Sequence, residues 1–159
     1  MKIGVLSDTH DNLLPMAVEK LSGVDLIIHA GDIGQDKLLT RLGEIAPVMA
    51  VRGNMDGHPS FDSLPAYRVV DAEGRKILVT HRVGRPEHPH QEIRERLFQV
   101  RPDVVVFGHT HHPYNQQVNG ILFFNPGTAG KRQFGAPLTV GLLEINADGI
   151  AGAIVDLGA

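Results

Sequence analysis

The stretch Ile3-Gly4-Val5-Leu6-Ser7-Asp8-Thr9-His10 decides the fold of this chain, because an apolar run of strand length passes directly into polar residues. Continuous apolar runs of this length are typical of strands that are buried on both faces. The same succession recurs at residues 26–28, 48–51, 77–79, 104–107 and 121–124, each followed by a cluster of Asp, His, Asn, Gly or Thr. We therefore predict buried strands that each end in polar side chains.

Three segments between these runs carry apolar residues at helical spacing. In the first, Leu14, Val18 and Leu21 share one face, with Asn12 as the expected N-cap and Pro15 in the first turn. Leu38, Leu42 and Ile45 share one face of the second predicted helix, which ends before Pro47. Ile93, Leu97 and Val100 share one face of the third, which ends before Pro102. The first two-thirds of the chain therefore alternate between strands and helices.

The last third of the sequence indicates antiparallel strands instead. Turn residues at positions 118–120 and 147–149 separate apolar segments, which favours hairpins. A chain of 159 residues has the length of one domain, and no linker or repeat interrupts it. We expect one α/β domain spanning residues 1–159.

The composition excludes several classes of function. With a net charge of −3 and 5% aromatic residues, the sequence shows neither the basic surface of a duplex binder nor the stacking residues of a single-strand binder. The chain has no cysteine, so disulfides and thiol chemistry are absent. No apolar run approaches the roughly 20 residues of a membrane span. A soluble cytoplasmic protein is the expectation.

The polar clusters predict a metal site. Ligands of open α/β sheets bind at the carboxyl ends of the strands, so neighbouring strands would gather these clusters along one rim. Residues two apart on extended backbone point to the same side, so Asp8 with His10, and His109 with His111, could each approach one ion. The candidate ligands are Asp8, His10, Asp32, Asn54, His81, His109 and His111.

Seven ligands are too many for one tetrahedral ion and suit two ions that share a carboxylate, either Asp8 or Asp32. Four imidazoles favour Mn, Fe, Co, Ni or Zn over calcium and magnesium, which prefer oxygen ligands. Two dications, two carboxylates and a bridging hydroxide leave a charge of about +1, which attracts anions such as phosphate esters. The residues therefore predict metal-dependent hydrolysis at phosphorus.

The motifs resemble those of the calcineurin-like metallophosphoesterases, and in particular the small bacterial and archaeal single-domain phosphodiesterases. The motifs that carry the resemblance are Asp8-Thr9-His10, Gly31-Asp32, Gly53-Asn54, Thr80-His81, Gly108-His109-Thr110-His111 and Asn125-Pro126-Gly127-Thr128. The resemblance implies a four-layer αββα sandwich with two mixed sheets and the metal site at the carboxyl ends of the strands. It also implies a phosphodiesterase whose nucleophile is a hydroxide that bridges two metal ions, with Mn²⁺ the first expectation and Fe, Zn, Ni or Co the alternatives.

The resemblance further implies how the ligands are divided. Asp8, His10, Asp32 and His111 would hold one ion, and Asp32, Asn54, His81 and His109 the other. Asp32 would bridge the ions, and Asp32, Asn54 and His109 would be catalytic. A homodimer is also implied, and the expected partner is a small phosphate-ester substrate.

Two positions depart from the family pattern. Met55 stands where many members have a His that assists the leaving group, and Arg82-Val83 replaces the usual Gly-His of the small branch. With no evident protein acid, we expect a preference for good leaving groups. Arg82, Arg85 and His112 are the candidate substrate-binding residues.

The remaining histidines and glycines have structural interpretations. We expect His29 to be a satisfied residue within a strand and His58, His88 and His90 to be surface loop residues, with substrate contact as the alternative for His88 and His90. Asn125 and Thr128 should shape a turn beside the site, and the glycines that precede ligands should permit tight strand exits; these are Gly31, Gly53 and Gly108.

Two rival functions fit the same pattern. A non-catalytic retromer subunit shares this fold and uses its surface for protein partners, but loss of ligands would mark such a module, and all seven are present here. A nuclease would use the same chemistry but would need a basic groove, which the sequence does not show.

Overall fold

A computed structural model of the chain describes residues 1–133 and 135–158. The strands are β1 (Lys2–Leu6), β2 (Leu26–His29), β3 (Val48–Ala50), β4 (Tyr67–Ala72), β5 (Arg75–Thr80), β6 (Gly84–Arg85), β7 (His88–Pro89), β8 (Val104–Val106), β9 (Tyr114–Val118), β10 (Ile121–Asn125), β11 (Thr139–Asn146) and β12 (Gly149–Asp156). The helices are α1 (Pro15–Lys20), α2 (Asp36–Gly43) and α3 (Gln91–Val100), and a 3₁₀ helix spans Pro59–Phe61. All six apolar runs form strands, as the sequence predicts.

Ten of these strands form two mixed sheets. The first sheet has the order β12-β11-β1-β2-β3, and the second has the order β4-β5-β8-β10-β9. Strands β1, β2 and β3 run parallel in the first sheet, and β5, β8 and β10 run parallel in the second. The parallel centre of each sheet therefore sends the carboxyl ends of its strands to one edge.

The two sheets pack face to face over the main hydrophobic core. Along β5, Ile77 and Val79 point into this core whereas Leu78 points to the opposite face of the sheet. Along β2, Ile28 joins the main core and Ile27 the other face. The alternation follows from the two-residue period of a strand, and apolar residues on both faces explain the continuous runs.

The helices cover the outer faces of the sheets. Ala17 of α1 and Leu38 of α2 pack on the first sheet, and Ile93 of α3 packs on the second. This order of layers is the αββα sandwich that the resemblance implied. None of the helices in the described part of the chain is both long enough and apolar enough to cross a membrane.

Two details differ from the sequence-based expectations. Asn12 is not the N-cap of α1; Leu14 occupies that position without a capping side chain, and the Asn12 amide donates to the Gly130 carbonyl. Helix α2 ends at Gly43, so Ile45 lies beyond its end although it packs against the same core. At Asn12 a tertiary contact replaces the local capping interaction that the spacing indicated, whereas the Ile45 backbone N–H still donates to the Leu42 carbonyl at 2.9 Å.

The hairpins at the end of the chain are confirmed, and a further one appears earlier. Asn119 and Gly120 have positive φ values of 52° and 80°, which suit the tight turn between β9 and β10. Glu73 and Gly74 make the same kind of turn between β4 and β5. Strand β4 was not predicted, because it is an edge strand with several exposed residues and lacks an apolar run.

Candidate metal centre

All the predicted ligands lie at the carboxyl ends of strands, but these strands belong to two sheets. Asp8, Asp32 and Asn54 follow β1, β2 and β3 of the first sheet. His81 and His109 follow β5 and β8 of the second sheet. The expected rim of one open sheet is therefore wrong in detail, because sandwich packing places two such rims opposite each other and the ligands meet between them.

The ligands leave their strands through left-handed backbone. Asp8, His10, Asp32, His109 and His111 have φ values of 55°, 46°, 56°, 70° and 65°. The argument from extended backbone for the two pairs is therefore wrong, because neither pair is extended. A non-glycine residue in this region costs about 1–3 kcal/mol and persists only where its surroundings impose it, which is typical of functional sites. Here the sharp turns direct the side chains into the space between the sheets.

The side chains form two overlapping groups of ligand atoms. Asp8, His10 and His111 make one group and Asp8, Asp32 and His81 the other, with all ligand atoms of a group within 4.8 Å of one another. The Asp8 Oδ1 atom lies 3.3 Å from His111 Nε2, 3.9 Å from His81 Nε2 and 4.0 Å from His10 Nε2. We call the group of Asp8, His10 and His111 the compact group. Asp8 belongs to both groups, and the two sheets therefore meet at this carboxylate.

His109 belongs to the opposite side of the site from His111. Its Nδ1 atom lies 3.2 Å from the Asn54 Oδ1 atom, and its ring lies edge-on to the His81 ring at 5.3 Å. The His10 and His111 rings lie 5.6 Å apart on the other side. Both His109 and Asn54 are exposed, and we call them the open pair. The two histidines of the Gly108–His111 motif are therefore divided between the two sides of the site.

The chemistry of these atoms fits a bound cation. The Oδ1 atom of Asp8 and the Nε2 atoms of His10 and His81 are buried and have no hydrogen-bond partner among the described residues. The Asp32 Oδ2 atom faces them at 3.3 Å from His81 Nε2 and 3.9 Å from His10 Nε2. Ligand atoms around one tetrahedral ion at ~2.1 Å lie about 3.4 Å apart, which matches these separations. Converging buried acceptors without donors are therefore a site for positive charge.

The electrostatics of the cluster also favour a bound cation. Burial acts to raise the pKa of Asp32, but the nearby His81 imidazole and the Met55 N–H outweigh it, and this pKa is lowered. Burial acts to lower the pKa of His81, but Asp32 and Asp8 outweigh it, and this pKa is raised. The pKa of His109 is lowered by burial and by the charges of His81 and Arg82. The two carboxylates thus favour positive charge at the centre of the cluster.

One oxygen of each carboxylate is held by the protein. Asp8 Oδ2 accepts hydrogen bonds from the Ser7 hydroxyl at 2.7 Å and from the His109 backbone N–H at 3.1 Å. Asp32 Oδ1 accepts from the Met55 backbone N–H at 2.9 Å. Each carboxylate therefore presents its other oxygen to the histidines, so that one oxygen rather than two faces the candidate metal position.

His81 is fixed by its other ring nitrogen. The Nδ1–H group donates to the Ala30 carbonyl at 2.7 Å, which leaves the Nε2 lone pair facing the two carboxylates. A backbone partner of this kind is the usual means of orienting a metal-binding imidazole.

His29 is a structural residue, as expected, and it connects two ligand loops. Its Nδ1 accepts from the Gly31 backbone N–H at 3.1 Å, so its Nε2 carries the proton and donates to the Thr9 hydroxyl at 3.0 Å. Thr9 in turn donates to the Ile33 carbonyl at 2.8 Å. Burial, with the charge of His81, lowers the pKa of His29 to about 3, so the ring stays neutral. The loops that carry Asp8 and Asp32 are thereby joined.

Asp56 holds two ligand loops together, and nothing in the sequence pattern singles it out. This carboxylate is 3% exposed and accepts from the backbone N–H groups of Ile33 and Gly53, both at 2.9 Å, and of Gly34 at 3.4 Å. It thus joins the loop of Asp32 to the loop of Asn54. An Asp in a polar loop is ordinarily a turn residue, and only the tertiary structure shows what it holds.

The closing motif and the glycines are also placed as predicted. The Asn125 amide donates to the Gly108 carbonyl at 3.2 Å, and the Thr128 hydroxyl donates to the Asp8 carbonyl at 3.1 Å. A Cβ atom on Gly53 would lie 2.2 Å from the Asp32 nitrogen, and one on Gly108 would lie 2.0 Å from the Ser7 hydroxyl. Glycine is needed at both positions because neighbouring ligand loops pass so close.

The three candidate substrate-binding residues differ in location. Arg82 follows His81 directly and lies close enough to His109 to lower its pKa. His112 is exposed and bonds through its backbone N–H to the Thr110 hydroxyl. Arg85 lies on the short hairpin β6–β7, opposite His88, and does not line the cavity next to His81. Only Arg82 is therefore placed beside the ligands by a direct interaction.

The comparisons with known proteins agree with this geometry. The sequence profile of the calcineurin-like phosphoesterase superfamily domain matches residues 1–148. A probable metallophosphoesterase of Methanothermobacter thermautotrophicus is 33% identical over 164 residues, which cover 100% of this chain and 94% of that protein. The chain therefore belongs to the calcineurin-like phosphoesterase superfamily. Divalent metal ions are the cofactors that this family implies, and the cluster described above fits them.

Two solved structures extend the comparison. A structure described as a novel archaeal phosphodiesterase superposes with a TM-score of 0.75 at 28% identity, covering 98% of this chain and 100% of that one. Wild-type Vps29 of Entamoeba histolytica, complexed with Zn²⁺, superposes with a TM-score of 0.75 at 21% identity, covering 99% and 100%. The likeness to Vps29 concerns the fold alone, whereas the archaeal protein shares both fold and sequence.

Proposed function

We propose that this protein is a phosphodiesterase that uses two divalent metal ions, with Mn²⁺ the first candidate. Asp8, His10, Asp32 and His111 would hold one ion, and Asp32, Asn54, His81 and His109 the other. The observation that carries the proposal is the set of buried, partnerless acceptors between the sheets, Asp8 Oδ1, His10 Nε2 and His81 Nε2. The related archaeal structure that is described as a phosphodiesterase supports a phosphodiester as the substrate.

When bound, two such ions would lower the pKa of a water held between them, orient the ester and neutralise charge on the phosphoryl oxygens. The chain's own contribution is to fix the ligands before substrate arrives. Ser7, Ala30 and Met55 hold the atoms of Asp8, His81 and Asp32 that face away from the metal position. Prepositioned ligands spare the reaction the reorganisation of the site.

In such a reaction the hydroxide would form a new P–O bond while the bond to the leaving oxygen breaks, and that oxygen would keep the electron pair. Met55 follows Asn54, has no proton to give and is 69% exposed, so this position does not supply an acid for the leaving oxygen. Aryl esters need no such acid because their leaving oxygen is stable as an anion. We therefore expect aryl phosphodiesters to be better substrates than alkyl phosphodiesters.

The test is hydrolysis of bis(4-nitrophenyl) phosphate by protein that has been stripped with a chelator and reloaded with Mn²⁺, Zn²⁺, Ni²⁺, Co²⁺ or Fe²⁺. We expect turnover only with metal, and its loss in Asp32→Ala. Asp71→Ala, on the exposed edge strand β4, is the matched control and should keep the wild-type rate. No rate above background with any metal, in wild type as in Asp32→Ala, would reject the proposal.

The rival hypothesis is a non-catalytic scaffold of the same fold. Structures of Vps29 proteins superpose well on the chain, but at 17–23% identity they support the fold alone. Retention and convergence of the candidate ligands favour the enzyme. A protein that binds metal with wild-type stoichiometry yet hydrolyses no phosphate ester would favour the scaffold.

A further inference from the structure

A cavity of about 480 Å³ opens beside the metal centre. Asn54 and His81 form its wall on the side of the metal ligands, and Ala66 and Ile93 contribute apolar surface. Its volume is in the range of ordinary small-molecule sites. A phosphodiester held at the metal ligands would therefore have room on this side for one of its two organic arms.

The charged lining of this cavity is mainly positive. Arg52, Arg82 and Arg96 line it, and Glu92 is the carboxylate among its lining residues. Within residues 1–133 and 135–158, neither Arg52 nor Arg82 has an ion-pair partner. Two guanidinium groups are therefore available to a ligand, and guanidinium groups bind phosphate through paired hydrogen bonds.

Arg96 is only partly satisfied by the protein. Its guanidinium group stacks over the Tyr67 ring, and its Nη2 atom lies 3.5 Å from Glu92, whose side chain is 74% exposed. Its Nε–H group is buried and lacks a hydrogen-bond partner in the described part of the chain. A buried donor without an acceptor is unfavourable, so Arg96 would gain from an anion that accepts a hydrogen bond from its guanidinium group.

We propose that the substrate is a phosphodiester whose second organic arm carries a further phosphate, which Arg52, Arg82 and Arg96 bind in this cavity. The inference rests on the proposed phosphodiesterase activity and names its substrate class. The apolar surface of Ala66 and Ile93 would contact the carbon atoms between the two phosphates. A single cavity of this size suits a small molecule better than a nucleic acid, which needs a continuous basic groove.

The test compares three 4-nitrophenyl phosphodiesters that share the leaving group and differ in the other arm: 3-hydroxypropyl, 3-carboxypropyl or 3-phosphopropyl. We expect kcat/KM for the phosphopropyl ester to exceed that for the hydroxypropyl ester by roughly tenfold or more, as charged hydrogen bonds imply. Arg52→Gln and Arg96→Gln should each reduce this preference, and Arg96→Lys should reduce it less. Arg41→Gln, exposed on α2 and outside the cavity, should keep it.

A binding measurement separates this inference from the proposed activity. By calorimetry, Mn²⁺-loaded protein should bind propane-1,3-diyl bisphosphate more tightly than propyl phosphate, and Arg52→Gln should lower that ratio. Turnover with equal kcat/KM for all three arms would overturn the inference and leave the proposed function standing. Preference for the carboxypropyl ester would overturn the phosphate assignment.

Two further outcomes are decisive. Absence of turnover for every ester would overturn the proposed function, and equal binding of the two propyl ligands would then overturn the inference as well. Binding of a DNA or RNA oligonucleotide in preference to the bisphosphate, weakened by Arg52→Gln, would overturn it in favour of a nucleic-acid substrate.

Discussion

The compact group and the open pair differ in how far the protein has assembled them. Asp8 and His111 of the compact group are buried, and with His10 they lie within bonding range of one common ion. Asn54 and His109 are exposed, and His109 joins neither converged group of the described residues. Every side chain of the compact group therefore converges before metal arrives, whereas two of the four ligands proposed for the second ion face solvent. We expect the first ion to bind more tightly than the second.

The largest effect should come from the residue that the two groups share. Asp8→Asn removes the charge next to His10, His81 and His111 and keeps the shape of the side chain. Phosphodiesterase activity should fall by about 10³-fold or more, because bound metal contributes several kcal/mol to the transition state. Thermal denaturation should also depend less on Mn²⁺, since ligand binding stabilises a protein only to the extent that the ligand binds. Asp71→Ala should retain both properties.

Substitutions on the two sides should separate metal affinity from turnover. His10→Ala should abolish tight binding of the first ion, as measured by titration with Mn²⁺ and elemental analysis. His109→Ala should keep one tightly bound ion and lose the weaker one, together with most of the activity. Equal loss of both ions in the two variants would show that the two sides are not distinct.

A smaller effect is expected at Asp56, which touches no predicted ligand side chain but holds the loops of Asp32 and Asn54. Asp56→Asn retains an acceptor oxygen but replaces the other with a donor that faces the Gly53 or Ile33 N–H. We expect the free energy of unfolding to fall by about 1–3 kcal/mol, as for a buried group left unsatisfied. Binding of the second ion should weaken more than that of the first. Chemical denaturation and metal titration measure the two effects.

A further effect concerns the pH dependence of stability. The folded protein protonates His29 only near a pKa of about 3, whereas the unfolded chain does so near 6.5. The unfolded state therefore binds the extra proton between these values, and stability falls as the pH falls below 6.5, by at most about 1.4 kcal/mol per pH unit. The metal-free His29→Asn variant should be less stable at pH 7.5 but lose less stability between pH 6.5 and pH 4. Parallel stability curves would contradict the neutral, buried His29.

The sequence predicted the strands well because both faces of each central strand are buried. Apolar runs such as residues 104–107 are short and rich in β-branched residues, which favours strands over helices, and the polar residue after each run marked its carboxyl end. Strand β4 escaped prediction because Val69 and Asp71 face solvent at the edge of a sheet. Asn12 was misassigned because its amide bonds to Gly130, 118 residues away.

The candidate site was predictable residue by residue but not in its arrangement. Asp8, Asp32, His81 and the other ligands are polar residues at the ends of apolar runs, which a sequence displays directly. The division of His109 and His111 between the two sides depends on left-handed backbone at both residues, which the sequence does not display. The spacing argument for this pair failed for that reason.

The sequence by itself determined the buried strands, the identity of the candidate ligands and the family to which the chain belongs, because these depend on residue type and local order. Only the tertiary structure decided that two sheets share the site, that Asp56 and His29 hold its loops, and that three arginines meet at one cavity. Those features depend on contacts between distant segments, which arise when the sandwich closes over its core and brings the two strand rims together.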